Sequence, residues 1–242
     1  EIQDGLWKQI QGQREQVAVT FDSTGVAVID LARQRITEGR WREAETILQS
    51  EETKASPRTR ALARLYEAVI LSESGAATGN AAYAAFIESL EGMSESPAAD
   101  RFRAHNNFAN FLLSRAQDRV YDHAFQIATG VPAPLYTGLN DWHLARVHFQ
   151  QAEGIASSLA AHQPASIRTN IARQYALLAD YLQLLNSAFA TDQQWSEGQQ
   201  AAAEQAFEIA KQVSVLDAQR VDSPTRAGAF AMLARLLHRR GD

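Results

Sequence analysis

The sequence predicts an all-α fold in which helices pack in successive pairs. Apolar residues recur at i, i+3, i+4 and i+7 in several separate stretches, which is the spacing of one helix face. Proline after a polar residue marks helix starts, because the missing proline N–H would have no intrahelical partner there. These dipeptides are Ser56-Pro57, Ser96-Pro97, Gln163-Pro164 and Ser223-Pro224. No pleated strand is expected anywhere in the chain.

The first predicted pair is centred on Gly39, which lies between two apolar faces. Glycine enters the left-handed region without a steric penalty and is therefore typical of a helix end. The polar residues 22–24 offer N-cap oxygens to a helix expected near 25–38, and its partner is expected over 41–54. The two faces consist of Val28, Leu31, Ala32 and Arg35, and of Trp41, Ala44 and Leu48.

Two more pairs follow, each opened by a proline. The second starts at Pro57 and contains a loop over 75–80. The third starts after Pro97 and contains an insertion at 116–141, part of which is expected to form a short helix near 119–129. Their apolar faces are Leu62, Leu65, Tyr66 and Val69; Ala82, Phe86 and Leu90; Phe108, Ala109 and Leu112; and Trp142, Ala145, Phe149 and Ala152.

The fourth pair starts after Pro164, and a terminal helix without a partner follows it. We therefore expect about four helical pairs plus one helix over 25–242, preceded by a capping segment at 1–24. The unpartnered last helix and the start at Glu1 predict that the natural chain is longer than this sequence. The apolar faces are Ile167, Ile171, Ala172 and Tyr175; Ala203, Phe207 and Ala210; and Phe230, Leu233, Ala234 and Leu237.

A unit of helix, glycine, aromatic residue and helix with a central alanine resembles the tetratricopeptide repeat. Its elements recur at Gly39/Trp41/Ala44, at Trp142/Ala145/Phe149, at Ala203/Phe207/Ala210 and at Leu233/Ala234/Gly241. The resemblance implies a right-handed α-solenoid whose first helices line a concave groove for peptides or partner helices. It therefore implies protein binding and no chemistry. A more general solenoid of helical hairpins stays open, because repeat length varies and several family glycines are replaced.

Composition excludes several classes of partner. The net charge of −5 argues against nucleic acid and acidic membranes as partners. No run of 18 apolar residues exists, so no membrane insertion is expected, and the absence of cysteine excludes disulfides and thiolate metal sites. Only three of the 23 basic residues are lysine, a bias that we associate with a GC-rich bacterial genome. The oligomeric state and the compartment are left open.

Projection of the first helices by the helical period places a set of arginines and asparagines on the groove side. Arginine binds carboxylates and phosphates, and asparagine pairs with an extended backbone. We therefore expect a partner-binding groove that takes a peptide segment, with acidic peptides as one possibility. The predicted partner-binding residues are Arg33, Arg60, Arg64, Arg103, Asn106, Asn107, Asn110, Asn170, Arg173 and Arg235. In the alternative interpretation, the arginines pair with acids on neighbouring helices and the asparagines cap or bridge helices.

Nothing in the sequence predicts an enzyme, a metal site or a cofactor. His143 and His148 are five residues apart, which places them on divergent faces of a helix rather than on one. Nucleophile-elbow and phosphate-binding glycine motifs are absent. Three hypotheses remain: an interaction module or scaffold, a regulatory or sensory arm of a larger protein, and, as the least favoured, an enzyme that uses a site at 116–141.

Overall fold

The computed structural model describes residues 23–75, 79–128, 138–159, 167–168 and 170–178, together with 201, 204–205, 208–209 and 212. These residues form helices and no strand, which confirms the all-α prediction. The helices are α1 (Ala27–Thr37), α2 (Trp41–Leu48), a 3-10 helix (Glu51–Lys54), α3 (Pro57–Glu73), α4 (Gly79–Gly92), α5 (Ala98–Ala128) and α6 (Gly138–Ala156). Residues 167–168 and 170–178 are also helical and are called the 167–178 stretch below.

The six α-helices pack as three consecutive pairs. α1 packs on α2, α3 on α4, and α5 on α6. The first helices of the pairs also contact one another in chain order, α1 with α3 and α3 with α5. The first helix of each pair therefore packs both on its own partner and on the first helix of the next pair.

Two of the predicted start and stop signals, Ser56-Pro57 and Gly39, lie at observed helix ends. The Ser56 hydroxyl accepts a hydrogen bond of 3.0 Å from the Thr59 amide, and Pro57 is the first residue of α3. Gly39 separates α1 from α2 with a φ of 72°, where a side chain would be strained. The second predicted helix ends at Leu48 instead of 54, because residues 51–54 tighten into the 3-10 helix.

Most predicted apolar faces are buried. Those of α3, α5, α6 and the 167–178 stretch contribute Leu62, Leu65, Tyr66, Phe108, Ala109, Leu112, Ala145, Phe149, Ile167 and Ile171 to one continuous region of buried side chains. The face of α1 was assigned correctly only in part. Ala32 is buried and Val28 packs against the core as predicted, but Leu31 is exposed. The other buried residues of α1 are Ile29, Arg33 and Ile36. Trp41 is 37% exposed, so the contact of α2 with the core is made by the buried Ala44 and Leu48 and by the partly buried Ile47.

Small residues let the helices of the second pair approach closely. A Cβ atom added to Gly92 would lie 3.0 Å from the Ala61 Cβ, so α4 ends directly against α3. In the same place the Ser89 hydroxyl donates a hydrogen bond of 3.0 Å to the Ala61 carbonyl. The approach is therefore fixed by packing and by a buried hydrogen bond together.

The expected insertion at 116–141 is shorter than predicted. Residues 116–128 are the last turns of α5, and α6 already begins at Gly138. Ala116 is buried, and Arg115 and Arg119 are both bound to Asp141 at the start of α6. These contacts extend the pairing of α5 with α6 into the segment that the sequence marked as an interruption.

Several predictions lie outside the described residues. They concern the capping segment except for residues 23 and 24, the apolar residues Ala203, Phe207 and Ala210, and the terminal helix. Within the described part of the chain, none of the helices combines the length and the apolar character that crossing a bilayer requires.

Candidate functional site

An ionic cluster of five side chains, Asp30, Arg33, Arg58, Asp100 and Arg103, joins α1, α3 and α5. The Asp100 carboxylate is 1% exposed and accepts hydrogen bonds from Arg58 Nε at 2.6 Å and from Arg103 Nη1 at 2.7 Å. Arg103 itself is 2% exposed. Burial of these charges is tolerated because each is paired and hydrogen-bonded.

The same cluster holds the chain segment that enters α1. Arg58 Nη2 donates to the Thr24 carbonyl at 2.6 Å, and Arg103 Nη2 donates to the Ser23 carbonyl at 2.9 Å. Two arginines from later helices therefore hold the backbone of residues 23 and 24 against α3 and α5.

Ser23 and Thr24 do not cap α1 as predicted. The N-cap residue is Val26, which provides no side-chain acceptor, and the two hydroxyls donate instead to the Asp30 carboxylate, at 2.5 and 2.9 Å. Burial alone would raise the pKa of Asp30, but hydrogen bonds from Ser23, Thr24 and Arg33 outweigh it and hold that pKa below its usual value. Asp30 is therefore a fixed anion of this cluster.

Tyr66 lies at the centre of the ionic cluster. Its side chain is fully buried, and the Arg33 guanidinium is 5.7 Å from the ring centroid. The Tyr66 hydroxyl has no hydrogen-bond partner within the described residues. Burial raises the pKa of Tyr66 to about 12, so the phenol stays neutral at physiological pH.

An asparagine cluster, made of Asn106, Asn107, Asn110 and Asn170, continues the polar row along α5. Asn106 Oδ1 accepts from Asn170 Nδ2 at 2.9 Å, and more weakly from Asn110 Nδ2 at 3.4 Å. The 167–178 stretch is thereby joined to α5. Among the described residues, Asn107 Nδ2 and Asn110 Oδ1 have no hydrogen-bond partner although both residues are buried. One free donor and one free acceptor therefore remain.

The structure brings together five of the ten predicted partner-binding residues in these two clusters along the first helices, with Asn170 completing the asparagine cluster from the next stretch. The predicted exposed groove is corrected for Arg33, Arg103, Asn106, Asn107 and Asn110, which are buried. The reason is that α1, α3 and α5 pack side by side, so residues projected into a groove lie between neighbouring helices.

The remaining predicted residues have different positions. Arg64 pairs with Glu67 at 2.8 Å and with Glu88 of α4 at 2.6 Å, whereas Arg60 is exposed. Arg173 is partly buried, and Arg235 lies outside the described residues. Ion pairing with an acid on a neighbouring helix, the alternative interpretation of the arginines, therefore holds for Arg64 with Glu88. Arg33 and Arg103 pair instead with Asp30 and Asp100 on their own helices, and these pairs are largely buried rather than solvated.

Two histidines form a contact that the sequence analysis missed. His105 Nδ1 and His148 Nδ1 are 2.9 Å apart, and their rings stack with centroids 5.2 Å apart between α5 and α6. His143, the residue considered together with His148, is exposed. The described residues contain no group of three or more potential metal ligands, and two histidines alone do not complete a metal site.

Burial keeps the histidine pair neutral. It lowers the pKa of His105 to about 4, with smaller contributions from His148 and Arg101. Burial also lowers the pKa of His148, against the opposing effect of a hydrogen bond to the Gln151 side chain. One ring therefore donates its Nδ1–H to the other at neutral pH.

Comparison with family models, with curated proteins and with solved structures finds no match for this chain. The resemblance to the tetratricopeptide repeat consequently stays a prediction from the sequence. What the site can do has to be argued from its own hydrogen-bond donors, acceptors and charges.

Proposed function

We propose that this protein is a helical-repeat scaffold of the tetratricopeptide type that binds an extended segment of a partner protein. The support is the order of contacts: three consecutive helical pairs, with first helices that touch in chain order. A repeat array is built from such nearest-neighbour contacts and offers a continuous surface along its first helices. A right-handed solenoid is the arrangement that this proposal requires.

The asparagine cluster is the observation that carries the proposed binding site. Asn107 Nδ2 can donate a hydrogen bond and Asn110 Oδ1 can accept one, and neither has a partner within the described residues. Both atoms are buried, so the proposal requires the side chains that cover them to move aside when a peptide binds. The backbone of an extended peptide offers a carbonyl and an N–H that match this pair. A buried polar atom without a partner costs about 1–3 kcal/mol, so binding of a peptide would remove that cost.

The charges favour recognition of the peptide backbone over recognition of acidic side chains. Arg33, Arg64 and Arg103 already face carboxylates. Their positive charge is compensated before any partner arrives, which weakens the argument for an acidic peptide. The proposed binding therefore depends little on salt, because screening acts mainly on exposed charges.

Selection of peptides from a random display library against the purified protein tests this proposal. The variant Asn107→Leu keeps the branching of the side chain at Cγ but removes the free donor. We expect about a fivefold loss of affinity for the selected peptides, since one net hydrogen bond is worth roughly 1 kcal/mol and tenfold is 1.4 kcal/mol. We expect the thermal midpoint to stay or rise, because an apolar atom replaces an unpartnered polar one.

Asn140→Ala is the matched control, because Asn140 is an exposed asparagine on α6. It should leave both affinity and stability unchanged. Failure to select any peptide, equal affinity of Asn107→Leu and the parent protein, or a strong dependence of affinity on salt would each contradict the proposal. Circular dichroism of all three proteins ensures that folded molecules are compared.

A further inference from the structure

A polar cavity of about 210 Å³ lies between α6, the 167–178 stretch and the described residues of 201–212. It shares no residue with the ionic cluster or the asparagine cluster. The residues that decide its chemistry are Arg146, Gln150, Glu153, Arg168, Gln174 and Tyr175. Two further glutamines, Gln205 and Gln212, complete the wall opposite α6.

Two buried atoms of this lining have no hydrogen-bond partner in the described part of the chain. They are Arg146 Nη1, a donor, and Gln174 Oε1, an acceptor. Gln174 is fully buried. A buried donor and a buried acceptor that cannot reach each other each carry a desolvation cost, which a ligand bearing both complementary groups would remove.

Both side chains are held in place by contacts with neighbouring residues. Gln174 Nε2 donates to the Trp142 carbonyl at 2.6 Å, while Trp142 Nε1 donates to the Gln174 carbonyl at 2.8 Å. The Arg146 guanidinium lies 4.7 Å from the centroid of the Tyr175 ring, a cation–π contact. The free donor and the free acceptor are therefore preorganised, which reduces the entropy lost on binding.

The cavity carries one uncompensated positive charge. Arg168 Nε lies 3.4 Å from Glu153 Oε1, so these two charges offset each other. Arg146 forms no ion pair among the described residues and faces an aromatic ring instead of a carboxylate. A ligand carboxylate complements this charge locally, because a guanidinium suits a carboxylate.

We propose that this cavity binds a free α-amino acid with a polar side chain. The carboxylate would accept from Arg146, an N–H of the ligand would donate to Gln174 Oε1, and the glutamine amides would meet the polar side chain. The volume agrees, because a cavity of about 150 Å³ already holds benzene. An inorganic anion fits less well, since it leaves the Gln174 acceptor without a donor.

Isothermal titration calorimetry with L-glutamine and L-asparagine tests the proposal on the parent protein. Propionate, which lacks the amine, and glycinamide, which lacks the carboxylate, serve as ligand controls. We expect at least one of the two amino acids to bind, and both control ligands to bind at least tenfold more weakly. The Gln174 side-chain amide resonance should shift on addition of the bound amino acid, which locates the site without any variant.

Arg146→Gln removes the charge and should weaken binding at least tenfold, because the hydrogen bond that is lost involves a charged group. Arg42→Gln, at an exposed arginine on α2, is the matched control and should bind as the parent does. No heat from either amino acid, equal affinity for propionate, an unmoved Gln174 resonance, or unchanged affinity in Arg146→Gln would each overturn the proposal.

Discussion

Burial decides how much each ion pair of this protein contributes to stability. The pair Arg103–Asp100 and the pair Lys54–Glu51 have almost the same length, 2.7 and 2.6 Å, and both join residues three apart on a helix. Asp100 and Arg103 are buried, whereas the Glu51 side chain is 87% exposed and that of Lys54 is 59% exposed. The two pairs can therefore be compared, because their lengths and spacings are similar while the solvent exposure of their side chains differs.

Asp100→Asn should destabilise the protein by about 3 kcal/mol. The change removes the carboxylate that two arginines face and leaves a buried guanidinium poorly compensated, which typically costs about 3–5 kcal/mol. Equilibrium unfolding in urea measures the effect as a lower midpoint with an unchanged slope. Glu51→Gln, the matched change in the exposed pair, should cost less than about 1 kcal/mol. Equal losses of stability in both variants would contradict the prediction that burial increases the contribution of Asp100.

Part of the ionic cluster was recognisable from the sequence at the level of single residues. Aspartate precedes arginine by three residues at Asp30/Arg33 in α1 and again at Asp100/Arg103 in α5. These are the first helices of the first and third pairs. This repeated spacing predicts two ion pairs within helices. The spacing does not predict that both ion pairs also form hydrogen bonds with residues 23 and 24, because Arg103 and Ser23 are 80 residues apart in the chain.

Helix starts and ends were predicted better than helix faces. Ser56-Pro57 and Gly39 act through local backbone geometry, which a short stretch of sequence determines. The face of α1 depends on its neighbours. Arg33 was assigned to a groove because arginine is polar, yet its side chain is buried against Tyr66 of α3. Tertiary contacts of this kind cannot be read from the periodicity of one helix.

The contact between α5 and α6 should weaken in acid because of the histidine pair. The folded-state pKa of His105 lies near 4, below the value of about 6.5 in an unfolded chain. The unfolded state therefore binds more protons between these values, and stability is full above about pH 6.5 and falls toward pH 4. The expected loss is roughly 1 kcal/mol, since solvent screens a half-buried site.

Urea unfolding between pH 4 and 7 measures this dependence for the parent protein and for His105→Gln, which cannot titrate. The variant should lose less stability on acidification than the parent does. His143→Gln, at an exposed histidine of α6, should follow the parent curve. Parallel curves for the parent and His105→Gln would show that the pair does not respond to pH, in which case the loss comes from carboxylates alone.

For the molecule as a whole, the sequence predicted the all-α class and the pairing of helices. It did not predict the contacts among polar side chains between the helices. Apolar spacing at Leu62, Phe108 and Phe149 predicted the buried faces and the all-α class. The partnership of His105 with His148 and the binding of Arg115 to Asp141 join α5 to α6 across 43 and 26 residues. Such contacts depend on helix register within the stack, and a single sequence does not specify that register.

Hydrogen exchange of the protein with and without a selected peptide tests most directly whether the row of first helices forms the binding surface. We predict added protection in α5 around Asn106, Asn107 and Asn110 and in the 167–178 stretch around Asn170, with little change in α2 and α4. Protection confined to α2 and α4, or spread evenly over all helices, would contradict binding along the first helices.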